Sequence, residues 1–126
     1  MKELNEQISG KDSALTASTS GETKPLVLIT GAAGNLGTSL SERLRSDYTI
    51  VGFDIPGTEA DFDLIGCDMT SDQSVSEAME RLATEHGRKI AAVIHLAAYF
   101  DFTGEEHPLY QKLNVEGTRR LLEGLQ

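Results

Sequence analysis

Tryptophan is absent from this chain of 126 residues, cysteine occurs once, and aromatic residues make up only 6%. The single cysteine, Cys67, has no partner within the chain, so a disulfide-stapled secreted scaffold is excluded. It sits inside an apolar run, which is a poor setting for a catalytic thiol. No stretch is long and apolar enough to span a bilayer. No apolar leader opens the chain, and Glu3, Glu6, Asp12 and Glu22 are wrong for a transit peptide. The expectation is a cytoplasmic location. Basic residues are also scarce, 11 against 20 acidic ones, for a formal net charge of -9. That balance disfavours nucleic-acid backbones and anionic membrane surfaces, so neither is expected as a partner. It does not exclude small anionic ligands, which local backbone donors can hold.

What is present suffices for one domain, since 39% of the residues are hydrophobic. Residues 1–24 read as a flexible N-terminal tail, because Ser9 to Thr23 is rich in Ser, Thr, Gly and Ala and offers little to bury. Residues 25–126 form the domain. Leu26 to Thr30 is apolar on both faces, as in the middle of a covered parallel sheet. Asn35 to Arg45 follows as a helix with Leu36, Leu40 and Leu44 on one face. Tyr48 to Asp54 is a second strand, and Pro56-Gly57 forces a turn. Asp63 to Cys67 is a third strand. Ser71 to His86 is a second helix, capped by Thr70 or Ser71, with Val75, Ala78, Met79 and Leu82 inward and Gly87 as its stop. Ile90 to Ala98 is a fourth strand and Tyr99 to His107 a loop. Pro108 starts a third helix that lines up Tyr110, Leu113, Gly117 and Leu121. There is no internal repeat. Buried runs alternating with amphipathic helices predict an α/β, Rossmann-type doubly wound parallel sheet, reduced to its first four strands and three helices.

The segment that carries chemistry is Thr30-Gly31-Ala32-Ala33-Gly34-Asn35-Leu36-Gly37, where the first strand becomes the first helix. Gly31 allows the tight turn, Gly34 lets a pyrophosphate approach the backbone, and Gly37 lets helix and strand pack closely. The N–H groups near Asn35 and Leu36 face the phosphates, with the helix dipole behind them. The spacing is Gly-x-x-Gly-x-x-Gly, and the motif alone is weak. The strand before and the helix after favour phosphate binding over an empty glycine turn. A P-loop is excluded, since no Lys-Ser or Lys-Thr follows the glycines.

An NAD site needs a carboxylate for the adenosine ribose roughly 20 residues beyond the glycines. Asp54 lies 17 residues beyond Gly37, at the tip of the second strand. Its oxygens can accept from both ribose hydroxyls, and its charge repels a 2′-phosphate. Ile55, expected beside the cofactor, and Pro56 and Gly57 after it bring no cation, so NAD is favoured over NADP. The alternative is that Asp54 merely begins a turn.

At this point the residues resemble the extended short-chain dehydrogenase/reductase family, also called NAD-dependent epimerase/dehydratases. The matching segments are Thr30 to Gly37, Asp54, Cys67-Asp68-Met69, His95-Leu96-Ala97-Ala98 and Asn114-Val115-Glu116-Gly117-Thr118. Together they cover almost everything from residue 25 onward. The resemblance implies that Asp68 bonds the adenine amino group beside the Met69 backbone. It implies that Leu96, Ala97 and Ala98 pass under the ribose and phosphates, and that Asn114 sits near the nicotinamide end and helps fix strand four. Ordinary alternatives are that Asp68 caps a helix and that Asn114 is a helix-surface residue. His95, within an apolar strand, reads as a core histidine or one that supports the site from behind, and not as a base or ligand. The aromatics of Tyr99-Phe100-Asp101-Phe102 either stack on a ligand or cover the sheet.

The family's chemistry uses Tyr-x-x-x-Lys, with tyrosine as acid or base beside hydride transfer. Here Tyr48, Tyr99 and Tyr110 are followed four residues on by Gly52, Thr103 and Asn114, so no catalytic residue is assigned. The expectation is a truncated chain. Its function is the NAD(P)-binding part of an epimerase/dehydratase-type oxidoreductase acting on a sugar nucleotide or other hydroxyl or keto substrate. The alternative is a non-catalytic dinucleotide sensor or scaffold. The resemblance and the half-covered sheet also make a homodimer a candidate assembly.

Overall fold

A computed structural model describes residues 24–99 and 103–126 of the chain. Four strands form one parallel sheet in the order β3-β2-β1-β4. They are β1 (Leu26–Thr30), β2 (Thr49–Asp54), β3 (Asp63–Gly66) and β4 (Ala92–His95). Helix α1 (Asn35–Leu44) joins β1 to β2, and α2 (Asp72–His86) joins β3 to β4. A π-helical turn, Tyr110–Val115, runs directly into α3 (Glu116–Gly124). This is the α/β, Rossmann-type doubly wound arrangement that the alternation predicts. Among the described residues, no helix is long and apolar enough to cross a membrane.

All five residues of β1 are buried, which is why its apolar run does not alternate. Its side chains divide between two cores. Leu26 and Leu28 join Val51, Phe53, Ile65, Val75, Ala78, Leu82 and Leu121, on the face that α2 and α3 cover. Val27 and Ile29 join Ala32 and Ile50, with Leu40 and Leu44 of α1 packed against them. Helices therefore lie on both faces, and the chain leaves β1 toward β2 and later returns to its other side as β4. That reversal opens a crevice at the carboxyl ends of the strands, where such sheets hold their ligands.

Strand and helix ends shift by a residue in several places, and three larger points differ from the sequence expectation. Strand β4 covers Ala92–His95 rather than Ile90 to Ala98, because only Val27 to Thr30 of β1 pair with it. The inward line of α1 is Gly37, Leu40, Ser41 and Leu44, while Leu36 is 61% exposed. Close approach at Gly37 turns that helix, since a Cβ there would meet Ala32 Cα at 2.8 Å. The third helix is not α-helical throughout. Its π turn, in which Glu116 N–H donates to the Gln111 carbonyl, shifts the register, so Gly117 and Leu121 are buried but Tyr110 and Leu113 only half so. Of the two candidate caps on α2, Ser71 is the one used, its oxygen accepting from Ser74 N–H.

Candidate functional site

A cleft of about 510 Å³ lies at the carboxyl ends of the strands. The turn after β1 brings Gly31 and Gly34 to it, and the end of β2 brings Asp54 and Ile55. The segment after β3 adds Asp68 and Met69, and the segment after β4 adds Leu96, Ala97 and Ala98. Nine of the thirteen sequence-predicted residues thus share one cavity, although the chain separates Gly31 from Ala98 by most of its length. Asn35, Leu36 and Gly37 are in the opening of α1, and Asn114 is in the π turn; none of these four lines the cleft. Phe53, Cys67, Thr70, Leu109 and Leu113 complete its wall and were not assigned to the site by the sequence. Leu109 and Leu113 reach it only because the third helix folds back over the crevice, which no local pattern reveals. Phe100, Asp101 and Phe102 lie outside the described residues.

The turn itself is held from two sides. Gly31 has φ +66°, a conformation that strains residues with a Cβ. A Cβ there would also lie 2.9 Å from Ala97 N. Gly31 N–H donates to the Phe53 carbonyl at 2.9 Å, pinning the turn to β2. Ala33 N–H donates to Asp54 Oδ2 at 2.9 Å, and Ile55 N–H donates to Asp54 Oδ1 at 2.8 Å. Asp54 is therefore coupled directly to the glycine turn, and each of its oxygens keeps a lone pair for a further donor. Gly34 is the N-cap of α1, without a side chain to bond the helix's first N–H groups, and the first turn holds no acid. Those groups remain for an anion.

At the other end of the cleft, Asp68 is exposed and does not cap α2. Its Oδ1 accepts from Thr70 Oγ1 at 2.6 Å and Thr70 N–H at 3.0 Å. These two bonds, and to a smaller degree the Arg120 charge, hold the Asp68 carboxyl below its usual pKa, so it is an anionic acceptor at neutral pH. Cys67 beside it is buried, and burial, with the Asp68 charge, pushes its thiol up to about 11.

The far wall is a chain of hydrogen bonds. Thr30 Oγ1 accepts from Leu96 N–H at 3.0 Å and Ala97 N–H at 3.2 Å. Asn114 is not a surface residue: its Oδ1 accepts from Tyr99 N–H at 2.6 Å and its Nδ2 donates to the Tyr99 carbonyl at 2.9 Å. That clamp fixes the chain just beyond β4. The Tyr99 ring stacks on His107 at 4.7 Å and meets Tyr110 edge-on at 5.1 Å, so this aromatic covers protein. His95 is half-buried between Thr30 and Thr118, as a core histidine rather than a group facing the cleft.

Comparison with known proteins shows what the chain as a whole is similar to. Residues 27–126 match the model of the NAD dependent epimerase/dehydratase family. The chain belongs to that family. Among solved structures, a short-chain dehydrogenase/reductase superfamily protein from Agrobacterium tumefaciens, with bound NAD, is similar at 30% identity and TM-score 0.61. The match covers 79% of this chain and 28% of that one. A protein from Burkholderia cenocepacia J2315 described as a candidate epimerase is similar at 31% identity and TM-score 0.62, over 82% of this chain and 33% of its own. The Thermus thermophilus UDP-glucose 4-epimerase, in complex with NAD, shares the fold at 23% identity and TM-score 0.64, over 79% of this chain and 33% of its own. The chain thus spans about a third of the length of these family structures. A search of curated proteins gives no match.

Proposed function

We propose that the cleft binds NAD, and that the chain is the dinucleotide-binding part of an oxidoreductase-type protein of the family. The observation that carries this reading is the Asp54 carboxylate at the tip of β2, bonded to Ala33 N–H of the glycine turn and lining the same cleft as Asp68. A dinucleotide requires a pyrophosphate cradle between a ribose acceptor and an adenine acceptor, and Gly34, Asp54 and Asp68 supply these. The residues fit the group: the position a Cβ would take at Gly34 is open except for the Gly31 carbonyl at 3.5 Å. Ala97 and Ala98 keep the wall beneath it low.

In this reading Gly31 and Gly34 cradle the pyrophosphate within the cleft, and the free N–H groups of Asn35, Leu36 and Gly37, in the first turn of α1 beside the cleft lining, supply the positive end of the helix dipole. Asp54 accepts from the ribose hydroxyls with Ile55 beside it, and Asp68 and Met69 receive the adenine. Asn114 acts indirectly, by fixing the chain at Tyr99. Among the described residues no Arg or Lys lines the cleft, and Asp54 repels a 2′-phosphate, so NAD is preferred to NADP. When bound, NAD supplies hydride transfer. The substrate proposed for the whole protein is a sugar nucleotide or another hydroxyl or keto compound, as befits epimerases and dehydratases. Amide chemical-shift mapping tests the cofactor reading. Adding NAD should move Gly31, Ala33, Gly34, Asp54 and Asp68 while leaving the outer end of α2 still. Shifts confined to some other surface would overturn it.

A further inference from the structure

Arg120 belongs to none of the matched segments, yet it lies where α3 meets the loop after β3. Its side chain is only 15% exposed, whereas that of its ion-pair partner Asp72 is 80% exposed. Nε donates to Asp72 Oδ1 at 2.6 Å. Nη1 donates to the Met69 carbonyl at 3.2 Å and, more weakly, to the Lys112 carbonyl at 3.4 Å. A planar guanidinium held this way fixes the groups it bridges relative to one another. One turn earlier, Gly117 presses bare backbone on the same carbonyl; a Cβ there would lie 3.1 Å from Met69 O. Helix α3 therefore sets the position of the Met69 peptide. That peptide follows Asp68, whose Oδ1 takes both Thr70 bonds, which leaves Oδ2 for a ligand.

We propose that Arg120 is a positioning residue for adenine recognition: by fixing the Met69 carbonyl, it aims the Asp68 carboxylate at the exocyclic amino group. The proposal rests on the reading of the cleft as an NAD site. The consequence is specific. Loss of Arg120 should harm recognition of the amino group more than binding of the dinucleotide as a whole.

The test compares NAD with nicotinamide hypoxanthine dinucleotide, which carries an oxo group where adenine has its amino group. Both are titrated into the full 126-residue chain. The native chain should prefer NAD by about tenfold, since a site built to accept a donor rejects the analogue that lacks it. Arg120→Met keeps the aliphatic stem and removes every donor. It should lower NAD affinity about tenfold and shrink the preference to within about twofold. Equal losses for both dinucleotides, with the preference intact, would overturn the proposal and leave Arg120 a structural support. Should circular dichroism show Arg120→Met unfolded, Asp72→Ala releases the guanidinium from an exposed anchor and should reduce the preference in the same direction. If the native chain bound neither dinucleotide, the cleft reading itself would fall, and this proposal with it. NAD binding with an unaltered preference in both variants would remove the proposal alone.

Discussion

Thr30 Oγ1 lies 2.6 Å from His95 Nδ1, and the bonds around them fix where each proton sits. Thr30 Oγ1 already accepts from Leu96 N–H and Ala97 N–H, so its own proton goes to Nδ1. Nε2 then carries the imidazole proton and donates to Thr118 Oγ1 at 2.9 Å, and that hydroxyl donates to the Asn114 carbonyl at 2.6 Å. The end of β1, the end of β4 and the third helix are thereby tied through one neutral ring.

This wiring makes a pH prediction. Burial lowers the His95 pKa from its ordinary 6.5, so the folded chain binds a proton there less readily than the unfolded chain. Its contribution to stability is complete above the unfolded value and declines as pH falls from there toward the folded one. Nitrogen-15 NMR at pH 7.5 should show His95 neutral with the proton on Nε2. A proton on Nδ1, or a charged ring at that pH, would contradict the wiring.

Asp54→Ala should weaken NADH binding roughly tenfold to a hundredfold, the scale of lost hydrogen bonds to a charged group. NADPH should suffer less, because the repulsion of its 2′-phosphate disappears with the carboxylate. Calorimetric titration of both cofactors reads the two effects separately. Unchanged NADH affinity in a folded variant would exclude Asp54 from the ribose.

Gly31→Ala combines a positive φ with a contact on Ala97 N. A loss of about 1–3 kcal/mol is expected, seen as a fall in melting temperature of roughly 4–8 °C for each kcal/mol. Dinucleotide binding should fall with it. An unaltered melting curve would show that the turn relaxes without cost.

Much of this was legible in the sequence, and the reasons it stops are physical. The β1 run and the α2 face depend on local periodicity, and both were readable from it. Asp54 was found because strand tip and glycine spacing coincide. The π turn was not legible, since helical spacing is nearly the same on either side of one extra residue. Leu36 looked inward by spacing, but the close contact of Gly37 with Ala32 rotates it outward. Arg120 gave no signal, because its partners Met69 and Asp72 are distant in the chain and meet it only through packing.

Cys67 lines the cleft but should be chemically quiet. With its pKa pushed up to about 11, only roughly a thousandth of the thiol is ionised at pH 8. Alkylation by iodoacetamide should be slow in the native chain and fast in urea, and slower still when NAD is present. Rapid alkylation of the folded chain would show that the strand end opens freely.

The measurement that bears most directly on the proposed function is a fluorescence titration of the purified chain with NADH and with NADPH. Saturable binding of NADH, tighter than that of NADPH, is expected from the glycine turn, the Asp54 carboxylate and a cleft wall without cations among the described residues. A folded chain that binds neither, or that prefers NADPH, would contradict it.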